Sequence, residues 1–129
     1  MKKEETLRGR GSFQSLYRSG RKLDGEVLRC FFRWEIGAGT PVRAGFSISA
    51  KKYNAVKRNR ARRLMRAAYD LERDGLAGAA EKTGGVLSLL FVYVGGKEIK
   101  TARFVFESVR GDMSSICRKI CAAAVREYK

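Results

Sequence analysis

The 129-residue chain contains no histidine. That removes imidazole general-base chemistry and every zinc pattern that pairs cysteine with histidine. Cysteine is scarce as well, with only Cys30, Cys117 and Cys121. An odd number cannot pair completely within one chain. Cys117 and Cys121 stand four apart, which on a helix puts them on one face rather than in bridging geometry. They are expected to be reduced core residues in a reducing compartment, and no metal site is expected of them. Long apolar runs are missing too. The longest, VLSLLFVYV at 86–94, is too short to span a bilayer and contains a serine. The opening MKKEETLRGRG has no apolar stretch of the kind a signal peptide needs. A soluble, cytoplasmic protein is expected. Acids are few, 13 Asp and Glu against 28 Lys and Arg, for a net charge of +15. An excess that large at this size points to a polyanionic partner, nucleic acid ahead of an anionic membrane surface.

Apolar residues make up 44% of the chain, enough for a core without metals or disulfides. One domain is expected over residues 1–129, with 1–11 as a mobile basic tail. SFQSLYRSG predicts a short helix, capped by Ser12 and ended by Gly20, with Phe13, Leu16 and Tyr17 on one face. VLRCFFRW at 27–34 alternates. Leu28, Cys30, Phe32 and Trp34 form a core face, and Arg29, Phe31 and Arg33 lie on the other. VRAGFSIS at 42–49 alternates likewise, with Ala44, Phe46 and Ile48 against Arg43, Gly45, Ser47 and Ser49. The two strands are expected to form a hairpin with one apolar face and one open face. A strong helix is expected over 54–73, a loop or frayed end over 74–85, a buried strand over 86–94 and a final helix carrying Met113, Ile116, Cys117, Ile120 and Cys121 as its stripe. One more short strand near the N-terminus is compatible with this order. The fold class is α+β, a small sheet with helices packed on its apolar face.

The helix opening at Asn54 carries the chemistry. Lys51, Lys52, Lys57, Arg58, Arg60, Arg62, Arg63 and Arg66 fall within sixteen positions that hold no acid. At about 100° per residue, Arg58, Arg62 and Arg66 form a stripe, with Asn59 and Arg63 beside it, over a polar arc of roughly 140°. Ala61, Leu64, Met65, Ala68 and Leu71 cluster on the other side, with Lys57 and Arg60 nearer to them. A solvated helix face normally mixes signs, because opposite charges four apart support the helix. Here the first such pair is Arg66 with Asp70. Cations at a helix N-terminus also oppose its dipole. The arrangement costs stability, so it is expected to meet phosphates, for which guanidinium groups suit bidentate contact. Phe31 between Arg29 and Arg33, with Phe13 and Tyr17 nearby, would offer unstacked bases a platform, a single-strand mode commoner for RNA. Phe13 and Tyr17 could equally be core residues.

These strings resemble a known family. SFQSLYRSGRK, VRAGFSIS and above all NAVKRNRARRLMR are similar to the bacterial ribonuclease P protein subunit, over residues 7–73 closely and 86–125 in outline. The resemblance implies a small α/β sandwich with a mixed sheet, helices on one face and a left-handed β-α-β crossover, as in one domain of a ribosomal protein. It implies that the basic helix binds a catalytic RNA subunit through Lys51, Asn54, Lys57, Arg58, Asn59, Arg60, Arg62, Arg63 and Arg66. It implies a cleft for the single-stranded 5′ leader of precursor tRNA, lined by Phe13, Tyr17, Phe31, Ser47 and Ser49. It implies hydrolysis with Mg²⁺ bound mainly by RNA and substrate, no catalytic residue in this chain, and no required protein or membrane partner. The chain departs from the family pattern at Ala50-Lys51-Lys52-Tyr53, where two lysines usually follow the serine and a glycine precedes Asn-Ala-Val, and at Tyr93-Val94-Gly95, where an arginine is common.

Two other functions compete on the residues alone. A generic RNA-binding module, such as a ribosomal protein or RNA chaperone, shares the basic α+β character but has no need of aromatics converging on an open face. A self-sufficient nuclease needs a base or metal-binding carboxylates. Asp70, Glu72 and Asp74 are the candidates, and Asp70 and Asp74 are expected to pair with Arg66 and Arg73 instead.

Overall fold

The computed structural model describes residues 10–36, 42–48, 54–83, 85–94 and 102–127. The element order is α1 (Arg10–Ser19), β1 (Arg21–Asp24), β2 (Leu28–Ile36), β3 (Val42–Ile48), α2 (Ala55–Thr83), β4 (Gly85–Tyr93) and α3 (Ala102–Glu127). The expected α+β class is present as a mixed four-stranded sheet of order β1-β2-β4-β3. β1 pairs antiparallel with β2, β2 antiparallel with β4, and β3 parallel with β4.

The hairpin expected between β2 and β3 does not form, because β4 inserts between them. β4 supplies its near-continuous apolar run to a position buried on both sides, which only a central strand offers. β3 then meets β4 in parallel, and a parallel pair needs a crossover. α2 is that crossover, and it runs to Thr83 instead of ending near residue 73. Leu76 and Ala80 are buried there, so the segment read as a loop is held as helix by packing. The final helix α3 begins at Ala102, well ahead of the apolar stripe from Met113 that marks it in the sequence. At the other end α1 begins at Arg10, inside the expected tail and ahead of Ser12. Gly20 ends α1 as expected, its N–H donating to the Leu16 carbonyl at 2.9 Å. A side chain there would meet that carbonyl oxygen at 2.5 Å.

The main core lies between one sheet face and the pair α2 and α3. Leu28, Cys30, Phe32, Val42, Ala44, Leu87, Leu89 and Phe91 meet Met65, Tyr69, Leu76, Met113, Ile116 and Ile120. Phe46, Tyr69 and Phe91 form a triangle of rings with centroids 5.8–5.9 Å apart, joining β3, α2 and β4. Not every helix lies on that face. α1 takes the opposite one, where Leu16 packs on Phe31 and Leu90 as a second small core. Among the described residues no helix is long and apolar enough to cross a membrane.

Asp112 ties α3 to the sheet, and nothing in the sequence pattern marks it. It is buried, and its Oδ2 accepts the N–H groups of Val27 and Leu28 at 2.6 and 2.9 Å. Gly25 gives it room, since a Cβ at residue 25 would sit 2.5 Å from the carboxyl carbon. The three thiols are free, as expected. Burial raises the Cys30 thiol well above its ordinary range. Burial also pushes Cys117 up to about 12, with Glu72 and Cys121 adding to the shift.

Asp112→Ala is expected to destabilise the fold by about 2–4 kcal/mol in urea unfolding, because two buried donors lose their acceptor. Asp112→Asn should recover part of that loss, and a cost within error of zero for Asp112→Ala would show that the latch is idle. The thiols set a second expectation. A pKa raised in the folded state gives stability that is present below the unfolded thiol's value and lost as pH rises above it. From pH 9 to 10 each buried thiol should therefore remove up to about 1.4 kcal/mol per pH unit. Urea midpoints of reduced protein should fall over that window and fall less steeply for Cys117→Ala. Equal slopes for the two proteins would contradict the assignment.

Candidate nucleic-acid interface

α2 starts as its sequence expects. Asn54 caps it, its Oδ1 accepting the Lys57 N–H at 2.9 Å and its carbonyl accepting the Arg58 N–H at 3.0 Å. Its roll about its own axis differs from the simple apolar clustering. Tyr69 and Leu76 are fully buried, Leu64 is half-buried and Leu71 is 60% exposed. The core direction is thereby turned toward the stripe of Arg58 and Arg62. The large Tyr69 ring causes this, because it must reach Phe46 and Phe91 under the sheet. Arg58 and Arg62 are consequently half-buried at the edge of the helix's contact face, while Lys57, Asn59, Arg60, Arg63 and Arg66 are exposed. Lys57 and Arg60 face solvent rather than the apolar side.

Among the described residues no acid pairs with the cations of this half-helix. Arg62 donates to Asn59 Oδ1 at 3.1 Å, which orders the two side chains without cancelling charge. The Arg66–Asp70 pair expected from spacing is not among the ion pairs of the described residues, and the acid farther along, Asp74, lies 4.0 Å from its neighbour Arg73. Among the described residues, a band of charge without acidic partners thus covers the outer side of the first three turns of α2.

The second part of the site is the sheet face under α1. Strand register arranges it in three rows. Arg33, Ser88 and Arg43 form one, Phe31, Leu90 and Gly45 the next, and Arg29, Val92 and Ser47 the third. Leu16 of α1 sits on the middle row. Arg33 reaches up to α1 and donates to Ser15 Oγ at 2.6 Å and Ser19 Oγ at 2.9 Å. Ser15 and Ser19 lie on one flank of the helix, and by helical spacing Tyr17 lies on the other. Tyr17 leans on Phe31, with ring centroids 4.6 Å apart and planes at 52°. Its flank therefore looks along the sheet toward Arg29, Val92 and Ser47, the end at which β3 finishes. Asn54 and the cationic turns follow Ile48 by only a few residues in the chain. A groove beside α1 and the charged helix end are thus set at the same end of the sheet.

Within this groove the residues hold different jobs from those expected. Phe31 is 8% exposed and serves as the floor under α1, while Tyr17, at 48%, is the ring a ligand can reach. Arg29 and Arg33 do not form a free basic rim. Arg29 pairs with Asp24 at 2.6 Å, and Arg33 with Glu35 at 2.6 Å. The hydrogen bond from Arg29 holds the Asp24 carboxyl below its usual range, despite some desolvation. Lys22, in the row of Phe31, lies 3.8 Å from Asp24, and the other exposed cation of this face is Arg43 on β3, with half-buried Ser47 four residues on. The alternation of VRAGFSIS already puts Arg43 on this face. The Phe13 side chain, Ser49, Lys51 and the Ala50 and Tyr53 departures lie outside the described residues.

Exposed cations and one reachable ring are groups suited to binding. Among the described residues, no three acidic or cysteine side chains gather in a way that could hold a metal ion. Asp70 and Asp74 are exposed on α2, and Asp112 is committed to two backbone donors.

Comparison with known proteins agrees with this geometry. The Ribonuclease P family model matches residues 1–121. A ribonuclease P protein component from Chlorobium phaeobacteroides is 32% identical over 93% of this chain and 87% of its own length. One from Symbiobacterium thermophilum is 41% identical over a shorter stretch, 55% of this chain and 61% of its own. Among solved structures, the ribonuclease P protein of Staphylococcus aureus superposes with a TM-score of 0.65 at 16% identity, covering 88% of this chain and 96% of that one. The Thermotoga maritima protein gives 0.63 at 18%, covering 89% and 96%. At those identities the structures establish the shared fold, and the family match and the Chlorobium relative establish kinship: this chain belongs to the ribonuclease P protein family.

Proposed function

We propose that this chain is the protein subunit of a ribonuclease P particle, binding a catalytic RNA through α2 and the 5′ leader of precursor tRNA through the groove beside α1. The observation that carries the reading is the run of cations Lys57, Arg58, Arg60, Arg62, Arg63 and Arg66, which have no acidic partner among the described residues, on a helix that the sheet connection cannot do without. Repulsion along the helix is relieved when RNA phosphates replace the missing acids, and counterions released from the RNA add a salt-dependent gain. Exposed and half-buried arginines at different angles suit a folded RNA surface better than a single straight groove.

The leader enters as an unpaired strand. Tyr17 offers a face for stacking, Arg43 a charge for its phosphates, and Ser47 a hydroxyl for polar contact. Lys51 and Ser49 join these surfaces by the family resemblance. Cleavage of the leader to give the mature 5′ end belongs in this proposal to the RNA, and the Mg²⁺ ions it needs are held by RNA and substrate. Among the described residues no carboxylates gather into a site for them, and in this proposal the protein's contribution is to hold substrate and RNA together.

Two measurements test this. Replacing Arg58 and Arg62 with alanine should weaken binding to a bacterial ribonuclease P RNA and reduce the slope of log affinity against log salt by roughly 1–2. An unchanged slope would mean that the cations are solvated surface. In a reconstituted cleavage assay at low Mg²⁺, the leader should be removed only when protein and RNA are both present. In that particle Tyr17→Ala should cost about 1–3 kcal/mol of affinity for leader-bearing tRNA and spare mature tRNA. Equal losses for the two ligands would remove the leader from this groove, and tight RNA binding without any cleavage would leave a generic RNA-binding module.

A further inference from the structure

We infer that Arg33 is a positioning residue for the leader groove: it fixes the roll of α1 and thereby the placement of the Tyr17 ring. The inference rests on the groove reading above, but the geometry behind it is independent of any ligand.

α1 has only ten residues. A helix that short is not stable on its own and takes its position from what it touches. Leu16, at 0% exposure, anchors it to Phe31 and Leu90. The Leu16 contact and the Tyr17 ring on Phe31 set the roll of the helix only weakly, because apolar contact is not directional. Directionality comes from the guanidinium. One edge of Arg33, Nε and Nη2, meets Glu35 Oε1 at 2.6 Å for each nitrogen. The remaining nitrogen, Nη1, reaches two hydroxyls one helical turn apart, Ser15 and Ser19. Ser19 Oγ in turn donates to the Ser15 carbonyl at 2.8 Å, which fixes its rotamer. The planar fork therefore ties Glu35 on β2 to two points along one flank of α1.

The opposite flank is where the consequence appears. Rolling α1 by a fraction of a turn would lift Ser15 and Ser19 from Arg33 and swing Tyr17 off Phe31 in the same movement. Arg33 and Tyr17 never need to touch for the first to control the second. An exposed Arg–Glu pair by itself contributes little to stability. Here the pair is one-third to two-fifths exposed, and its function is to aim Nη1 rather than to hold charge. The same use explains why an arginine facing a nucleic-acid groove has its charge satisfied internally.

The test uses the protein alone and the particle reconstituted with ribonuclease P RNA. The variants are Arg33→Gln, Arg33→Lys, the double change Ser15→Ala with Ser19→Ala, Tyr17→Ala, and Arg33→Gln combined with Tyr17→Ala. In the free protein, amide hydrogen exchange across residues 14–19 should speed up in Arg33→Gln and in the serine pair, with β4 protection unchanged. In the particle, both should lose roughly three- to tenfold in affinity for leader-bearing tRNA and little for mature tRNA. Arg33→Lys should not rescue, since an ammonium cannot serve Glu35 and two hydroxyls as a fork does. Arg33→Gln should add little on top of Tyr17→Ala, because both act through one ring. The inference is overturned if α1 exchange is unchanged, if lost protection spreads to β4, or if the two losses simply add, which would make Arg33 a contact in its own right. Should Tyr17→Ala leave leader affinity intact, the groove reading fails. The exchange data would then still decide whether Arg33 holds the helix.

Discussion

Everything in this molecule is arranged around the burial of β4 on both faces. Its apolar residues alternate between two cores, with Leu87, Leu89 and Phe91 under α2 and α3, and Leu90 under α1. A strand with that character must be central, which drives it between β2 and β3. Its parallel pairing with β3 then demands a crossover long enough to return along the sheet. The cationic helix is thus not an appendage that could be lost cheaply. It is the structural return path, and its charged N-terminal turns are delivered to the end of the sheet where β3 stops.

That placement explains how a helix with a poor electrostatic start is tolerated. Like charges close together and cations at a helix N-terminus both oppose its formation. Against them stand the Asn54 cap, the ring triangle around Tyr69 and the buried positions from Ala61 to Ala80. The cap and the buried Ala61 and Met65 lie within the charged half itself, and Ala68, Tyr69, Leu76 and Ala80 carry the buried face on from there. Extending the helix to Thr83 allows the interior to hold the unfavourable segment rigid. A preformed cationic surface binds RNA without the further cost of ordering it.

Much of this was legible in the sequence, and the gaps have physical causes. Period-two alternation identified both faces of β2 and β3, and Asn54 and Gly20 marked helix ends through local chemistry. Strand order was not legible. Alternation says which side chains share a face but not which strand lies next to which, so the adjacent segments 27–34 and 42–49 looked like a hairpin. The continuous run at 86–94 already carried the answer, since only a central strand buries both faces. The roll of α2 was missed because Leu64 and Leu71 looked apolar enough for the core, whereas the larger Tyr69 claimed it. Asp112 was invisible because its partners are backbone groups 84 and 85 residues away.

The groove shows why residue type alone misassigns roles on a mixed surface. Three arginines lie on the sheet face under α1, and composition treats them alike. Arg29 neutralises Asp24 at the edge of the sheet, Arg33 is spent on Glu35 and the hydroxyls of α1, and Arg43 is the exposed cation of β3. The aromatic pair divides in the same way, with Phe31 as floor and Tyr17 as the reachable ring. In each case one member of the pair or triplet is consumed in holding the other where it can act. A short helix placed by a few non-directional apolar contacts needs such a polar tie, because without it the groove would have no defined wall. The charge that a ligand meets is therefore smaller than the composition of the face suggests: Arg43 stands in the row of Arg33, and the cations of α2 stand at the end of the sheet toward which Tyr17 faces.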